Sequence, residues 1–372
     1  MLEEHQSSLH TCLSRLFGRD EIEIVDYAIT SINTPMNFTT DGIFKIRGNA
    51  KVGYQVYEWS IVVKIIKPDS QEKNDPSHHN YWKREALIHS SGLLTKLPPI
   101  VSFPQCYLVE EKTDGTVWLW MDEVKVDNDR LFSQDEWAFI ARQVGFLNGA
   151  YLSDMPLPEE PWICRQWLRS WVDGCKKYAS DPFQHYSKIH NRFSQIDSLW
   201  ARFLQFEANM DRHILALNHL PRVLAHQDLS KGNMYISNTD LGPKLTLIDW
   251  QFMSVSGLGE DLGKLYGVAM SQGNIPRDSY EFYKELLFQN YMDGLTNAGW
   301  QGSISRPRYG FCVSLACRSV WEVPKLLKIL VDSNMTEMKD EAVELIRINK
   351  IHMDCAKEAE HLSPYIGGND FR

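Results

Sequence analysis

In a chain whose last two-thirds read as helices, two short strand-like runs stand apart: MYIS at 234–237 and KLTLIDW at 244–250. They follow VLAHQDLSKGN, in which His226, Asp228 and Asn233 make a polar knot between apolar runs. Asp, Ser, Gly and Asn all favour turns, so the knot taken alone reads equally as a polar hairpin. An acid, Asp249, ends the second apolar run 16 residues after Asn233. Few architectures embed one β pair, opened by such a knot and closed by a carboxylate, among helices.

The first third has a different texture. Residues 5–17 give an amphipathic helix through Leu9, Cys12, Leu13 and Leu16. From about 40 to 66, GIFKIRG alternates apolar and polar residues, and YEWSIVVKII follows a turn near Gly53. The polar segment 67–80 predicts a surface loop, and WKREALIHSSGLL a helix ended by Pro98-Pro99. Two more strands are expected at QCYLVEE and TVWLWMDEV, split by Thr113-Asp114-Gly115. Beyond them Ser133 and Glu136 form a capping box, with Ile140, Val144, Leu147 and Tyr151 on one helix face. Helical patterns recur at 162–178, 187–218, 277–298, 307–331 and 336–361. The expected class is α+β: a small β-rich lobe over 1–124, then a larger helical lobe over 125–372 that carries the polar knot.

Bulk properties remove several function classes. Net charge is −9, from 48 acids against 39 bases, which is a poor electrostatic footprint for nucleic acid and suits a cationic small molecule better. No run approaches the roughly 18 apolar residues of a membrane span. MLEEHQSSLH lacks the basic start and apolar stretch of a secretory signal. Seven scattered cysteines without a CxxC pair argue for reduced thiols. A cytoplasmic location is the expectation. GLGEDLG at 257–263 imitates a dinucleotide glycine motif, but its third glycine falls one residue late and no βαβ unit surrounds it. It reads as a loop entering a helix near Asp261. His78-His79 sit in a polar loop and read as surface residues.

What remains fits transfer of a phosphoryl group from ATP, a reaction that asks mainly for positioning and charge stabilisation. Lys64 interrupts the apolar strand IVVKII, and Glu85 follows on the next helix. Each alone is an ordinary solvated charge; as a pair they match a strand lysine fixed on ATP phosphates by a helix glutamate. Asp228 accepts or orients a hydroxyl proton, and His226 braces the loop. Asn233, through its amide oxygen, and Asp249 offer the hard oxygens that Mg²⁺ prefers. The order of these four elements carries more weight than any one of them.

These residues resemble the aminoglycoside phosphotransferase and choline kinase superfamily, which has a protein-kinase-like fold. HQDLSKGNMYI is similar to its HGDLHPGN-type loop, LIDWQ to its metal-binding strand, and GLGEDLGKL to a later G-x-x-x-DLA-type segment; the likeness spans most of 40–270. It implies a small-molecule kinase that uses ATP and Mg²⁺. It further implies adenine contacts along a hinge of Met121, Asp122, Glu123 and Val124, and a degenerate phosphate loop in IRGNAKV with the single Gly48. The nucleotide is expected between the lobes and the acceptor over the helical one. Ser230 stands where the family commonly has His, and Lys231 follows it, as a charge near the transferred phosphoryl or as a solvated loop lysine. The implied acceptor is a hydroxyl on an antibiotic such as an aminoglycoside, on an amine, or on an amino sugar or nucleoside-type metabolite. Asp154, Glu159 and Glu160 could meet a cation, and WICRQWLRSW could line a pocket, although loop and packing roles explain them as well. A nucleotide-binding pseudokinase and a protein kinase are the alternatives. Trp250-Gln251 after Asp249, in place of Phe-Gly, and the lack of an APE segment count against the latter.

Overall fold

The alternation in the first third becomes an antiparallel sheet, seen in a computed structural model that describes residues 5–32, 39–125, 130–240, 242–332 and 340–366. Helix α1 (Gln6–Phe17) leads into β1 (Ile22–Ser31), β2 (Thr40–Val52) and β3 (Gln55–Ile66). Then come α2 (Arg84–Ser91), the two-residue β4 (Val101–Ser102), β5 (Cys106–Glu111) and β6 (Val117–Asp122). The sheet order is β1-β2-β3-β6-β5. Strand parity sorts the two faces of β3. Ile61, Val63 and Ile65 pack with Ile46, Trp118 and Trp120 beneath Leu9, Cys12 and Leu13 of α1. Lys64 and Ile66 point the other way, where Ile66, Leu119 and Met121 meet Ala86 of α2.

Strand β1 escaped the sequence reading because it is mostly exposed and lacks a clean alternation. The expected loop at 67–80 holds a short 3₁₀ turn at Glu72–Asn74. The chain divides into two units, 1–127 with 235–252 and 128–234 with 253–372. The β pair in the middle of the chain, β8 (Met234–Thr239) and β9 (Gly242–Leu247), forms a three-stranded sheet with β4 in the order β4-β9-β8.

The second unit is mainly helical. It begins with α3 (Gln134–Ser153), whose capping box is made: Ser133 Oγ accepts from the Glu136 N–H at 3.2 Å and Glu136 accepts from the Ser133 N–H at 2.7 Å. Next are α4 (Trp167–Tyr178), α5 (Pro182–Ile189) and α6 (Ser194–Ala216). The pattern at 162–178 thus becomes helical only from Trp167, and the one at 187–218 is broken between Ile189 and Ser194. Strand β7 (Arg222–Ala225) pairs antiparallel with β10 (Ser254–Gly257), an element the sequence reading did not anticipate. The remaining helices are α7 (Glu260–Ser271), α8 (Tyr280–Asn297), α9 (Ser305–Cys317), α10 (Ser319–Asp332) and α11 (Asp340–Leu362). The first residues of the pattern at 336–361 lie outside the described residues. Among those described, no helix is long and apolar enough to cross a membrane.

Glycines of the GLGEDLGKLYG stretch explain its composition. A Cβ on Gly259 would lie 2.1 Å from the Pro307 carbonyl oxygen, one on Gly263 2.7 Å from Ser314 Cβ, and one on Gly267 2.2 Å from Arg318 Cδ. The fourfold spacing places these residues along one side of α7, which approaches α9 and Arg318 too closely for larger side chains.

Candidate active site

In the first unit, strand β3 and the turn after β9 bring three predicted residues together. Lys64 is buried, its Nζ 2.6 Å from Glu85 Oε2 and 2.9 Å from Asp249 Oδ1. Burial alone would depress the lysine, but Asp249 and Glu85 outweigh it and hold its pKa above the ordinary value. Burial pushes the Glu85 carboxyl up, Lys64 opposes this, and Asp249 adds to the rise. One cation thus faces two carboxylates. Asp249 lies at φ 60°, a conformation that Asp tolerates better than most residues.

Arg84, one residue before Glu85, holds this turn and has no exposure. Its guanidinium donates to the carbonyls of Gln251 and His79 at 2.9 Å, Pro76 at 2.9 Å and His78 at 2.7 Å. Gln251 in turn donates to Thr39 Oγ1 at 2.8 Å and to Asn80. A buried arginine surrounded by carbonyls fixes both the 76–80 loop and the chain after Asp249. In the sequence Arg84 is one more charge in KRE, and only its position beside Glu85 could have marked it.

In the second unit, the polar knot is a built loop. Asn233 Nδ2 donates to the Asp228 carbonyl and to Asp228 Oδ2, both at 2.9 Å. The Asp228 N–H donates to His226 Nδ1 at 3.2 Å, which puts the proton of the neutral ring on Nε2. The His226 and Gln227 N–H groups donate to the two oxygens of Asp261, at 3.0 and 2.9 Å. Gln227 sits at φ 61° with its Nε2 donating to Ser256 Oγ at 3.0 Å. A left-handed glutamine costs on the order of 1–3 kcal/mol unless its surroundings impose it, and here Asp261 and Ser256 do so. The Asp261 carboxyl is pushed up by burial and pulled down by His226 and the two N–H groups. Its place at a helix start was legible; its grip on the loop was not.

Lys264, one turn further along α7, was also missed. Its Nζ lies 3.5 Å from Asp228 Oδ1. Burial pushes the lysine down and Asp228 opposes the shift. Lys231 instead lies over the Phe132 ring, 5.6 Å from its centroid.

The remaining predicted residues fall on the sheet of the first unit. Met121 and Asp122 end β6, and Tyr107 donates its hydroxyl proton to Asp122. Glu123 pairs with Lys45 and, at 3.3 Å, with Arg47; these partners and Lys45's hydrogen bond keep its carboxyl below the usual range despite burial. Glu123, Val124, Arg47 and Gly48 line one cavity of about 930 Å³. Gly48 itself corrects the expectation of a phosphate loop at IRGNAKV. It lies inside β2, in register with Tyr27 on one side and Trp59 on the other. A Cβ there would come within 2.1 Å of the Asp26 carbonyl oxygen. The glycine admits the close approach of β1, and a strand interior has no free N–H row with which to cradle phosphate. Residues 33–38, between β1 and β2, lie outside the described residues.

The hard-oxygen donors suit a divalent cation. Both Asn233 Nδ2 bonds go to Asp228, so it is the amide oxygen of that side chain that could face a cation. The Asp249 side chain is 36% exposed at the turn after β9, beside Lys64.

Residues 167–293 match the family model described as the phosphotransferase enzyme family. No curated protein sequence matches the chain. Among solved structures, the chain is similar to an amicoumacin kinase in complex with AMP-PNP, Ca²⁺ and Ami (14% identity, 88% of each chain covered, TM-score 0.54). It is also similar to a microcompartment-associated aminopropanol kinase (12% identity, 91% of this chain and 94% of the other, TM-score 0.53). At these identities the likeness establishes the shared fold.

Proposed function

We propose that the protein is an ATP- and Mg²⁺-dependent phosphotransferase that phosphorylates a hydroxyl group of a small molecule. The observation that carries this reading is Lys64 held at 2.6 Å by Glu85 and at 2.9 Å by Asp249. A buried strand lysine with a helix glutamate and a strand-end carboxylate serves no evident purpose in folding alone, since breaking even is the usual fate of such pairs. It suits a site that must accept phosphate charge and a cation.

In this reading Lys64 binds the α/β-phosphates and Glu85 fixes its ammonium. Asn233 and Asp249 would each offer an oxygen to a metal ion, which when bound would supply positive charge to the phosphates. Asp228, its carboxylate aimed by Asn233, orients the acceptor hydroxyl and takes its proton as the oxygen attacks. His226 and Asp261 keep the loop from relaxing out of its left-handed turn. Met121, Asp122, Glu123 and Val124 supply the adenine edge, and Gly48 acts only by allowing β1 to pack.

Calorimetric titration of ATP with and without Mg²⁺ tests the reading, followed by ³¹P detection of transfer to aminoglycosides, amines, sugars and nucleosides. Metal-dependent ATP binding, weakened by Lys64→Met, is expected. Absence of binding with Mg²⁺ present would overturn the enzyme assignment.

A further inference from the structure

The loop that carries Asp228 is tied to a line of buried hydrogen bonds that the phosphoryl-transfer roles leave unused. It runs through Asn148 on α3 and Tyr291 on α8, both fully buried. The Gly259 N–H, just before α7, donates to the Tyr291 hydroxyl oxygen at 3.2 Å, and that hydroxyl donates to Asn148 Oδ1 at 2.7 Å. Asn148 Nδ2 then donates to the Leu224 carbonyl of β7 at 2.9 Å. Burial pushes the Asp261 carboxyl up, and the Asn148 amide joins His226 and the two loop N–H groups in opposing that rise.

Each link has one sense only. A backbone N–H can only donate, so the phenol oxygen accepts from Gly259 and gives its single proton to Asn148. Burial, and then the nearby Asp261 charge, push the Tyr291 phenol far up in pKa, which keeps that proton in place. With Oδ1 committed to Tyr291, the amide must turn Nδ2 toward β7 and Asp261. Leu224 lies four residues before Asp228, and Asp261 holds the N–H groups of the two residues immediately before it. The tyrosine hydroxyl thus sets the orientation of an amide that acts on the entry to the loop at two places.

Helix packing serves the same contact. A Cβ on Gly145 of α3 would lie 2.1 Å from the Tyr291 carbonyl oxygen, and one on Gly294 of α8 2.1 Å from the Arg142 carbonyl oxygen. These glycines let α3 and α8 approach at the level of Tyr291. For stability alone the arrangement offers little, since an apolar pair of the same shape is nearly equivalent to a buried hydrogen bond. Directional bonds add a single geometry for the loop, which apolar packing would not impose.

We propose that Asn148 and Tyr291 are positioning residues for phosphoryl transfer, which set the loop through Leu224 and Asp261 and so fix where the Asp228 carboxylate meets the acceptor hydroxyl. The proposal rests on Asp228 being the residue that meets that hydroxyl.

The test compares the full chain with Tyr291→Phe, Asn148→Leu and their double variant, with Tyr309→Phe as the control. Tyr309 is equally buried in the same unit, but its hydroxyl pairs with His213 Nδ1 at 3.0 Å, and His213 leads on to Glu360 at 2.9 Å rather than to the loop. Kinetics use Mg-ATP with kanamycin, ethanolamine, glycerol and water as acceptors, read as ADP release at a temperature where each protein is folded. Hydrogen exchange is followed over residues 223–233. Tyr291→Phe, which removes one oxygen, is expected to lower kcat by about tenfold to a hundredfold, as slight misplacement of a reacting group does, with KM and Kd for Mg-ATP within about twofold of the parent. Exchange over 223–233 should quicken by about tenfold while the rest of the unit stays unchanged. Asn148→Leu should show the same split, and the double variant no further loss, because the two residues form one chain of bonds. Tyr309→Phe should melt lower yet keep the parent kcat and loop exchange. Parent-like kcat in Tyr291→Phe and Asn148→Leu, an equal fall in Tyr309→Phe, or a loss that only tracks the folded fraction would overturn the proposal. A parent that releases ADP keeps the kinase reading whichever way the variants behave, and one that releases none loses both.

Discussion

Asn233 holds Asp228 at two points, its Nδ2 donating at 2.9 Å to the Asp228 carbonyl and at 2.9 Å to Oδ2. The same amide therefore sets the loop and aims the carboxylate. Removing it in Asn233→Ala frees both and takes away a metal oxygen. Transfer at saturating substrate should fall by about a hundredfold or more, as small misplacements of reacting groups do. The Mg²⁺ concentration for half-maximal rate should rise with it. A steady-state Mg²⁺ titration separates the outcomes: an unchanged half-maximal concentration would remove Asn233 from the metal site.

Lys64 neutralises two carboxylates from a buried position. Lys64→Met leaves Glu85 and Asp249 facing each other without a cation, a change that costs about 3–5 kcal/mol when a buried pair is broken. The melting temperature should drop accordingly, and Mg²⁺ should recover part of the loss by replacing the missing charge. Thermal melts with and without Mg²⁺ check this; a melt insensitive to the substitution would deny the triad its structural weight.

Gly48 should behave as a packing glycine. Gly48→Ala puts a methyl group against the Asp26 carbonyl and should destabilise the first unit by about 1–3 kcal/mol, in the range of overpacked sites. Affinity for ATP in the folded fraction should stay within about twofold of the parent protein. Calorimetry beside a denaturant melt distinguishes this from a phosphate-binding role, which would instead reduce affinity and leave the melt alone.

One buried histidine, His352, and one half-buried, His89, make stability depend on pH. Burial, reinforced by Arg318, holds His352 at about 3 against an ordinary 6.5, and burial with Lys64 nearby holds His89 at about 4. Both are neutral in the folded protein at pH 7, whereas the unfolded chain takes up protons near pH 6.5. Their contribution is thus full above pH 6.5 and is lost as the pH drops below it, by about 1.4 kcal/mol per pH unit for each group, while Glu85 and Glu260, both raised to about 7, act with the opposite sign. The His352 contribution falls away toward pH 3 and that of His89 toward pH 4. His352→Met removes one of the two and should flatten the decline between pH 6.5 and 5. Parallel stability curves for parent and variant would contradict the assignment.

The residues of the candidate site were more legible than those that support them. Lys64, Glu85, Asp228, Asn233 and Asp249 are short motifs whose residue types follow from phosphoryl transfer, and strand parity alone separates Lys64 from the core. Arg84, Asp261 and Lys264 act through contacts 34 to 167 residues away in sequence, or across a helix turn, so no local pattern announces them. Strand β1 failed for lack of alternation, and Gly48 misled because a glycine in a strand and a glycine in a loop look alike before pairing is known. The β7–β10 pair, four residues in each strand, is too short to give a period.

The central claim is that Asp228 acts on the acceptor hydroxyl of a metal-dependent kinase. It is tested most directly by comparing the parent protein with Asp228→Ala in one experiment, with Mg-ATP affinity by calorimetry and phosphoryl transfer by ³¹P spectroscopy. The account predicts that both proteins bind Mg-ATP with similar affinity and that only the parent transfers phosphate. Undiminished transfer by Asp228→Ala, or failure of the parent to bind Mg-ATP, would contradict it.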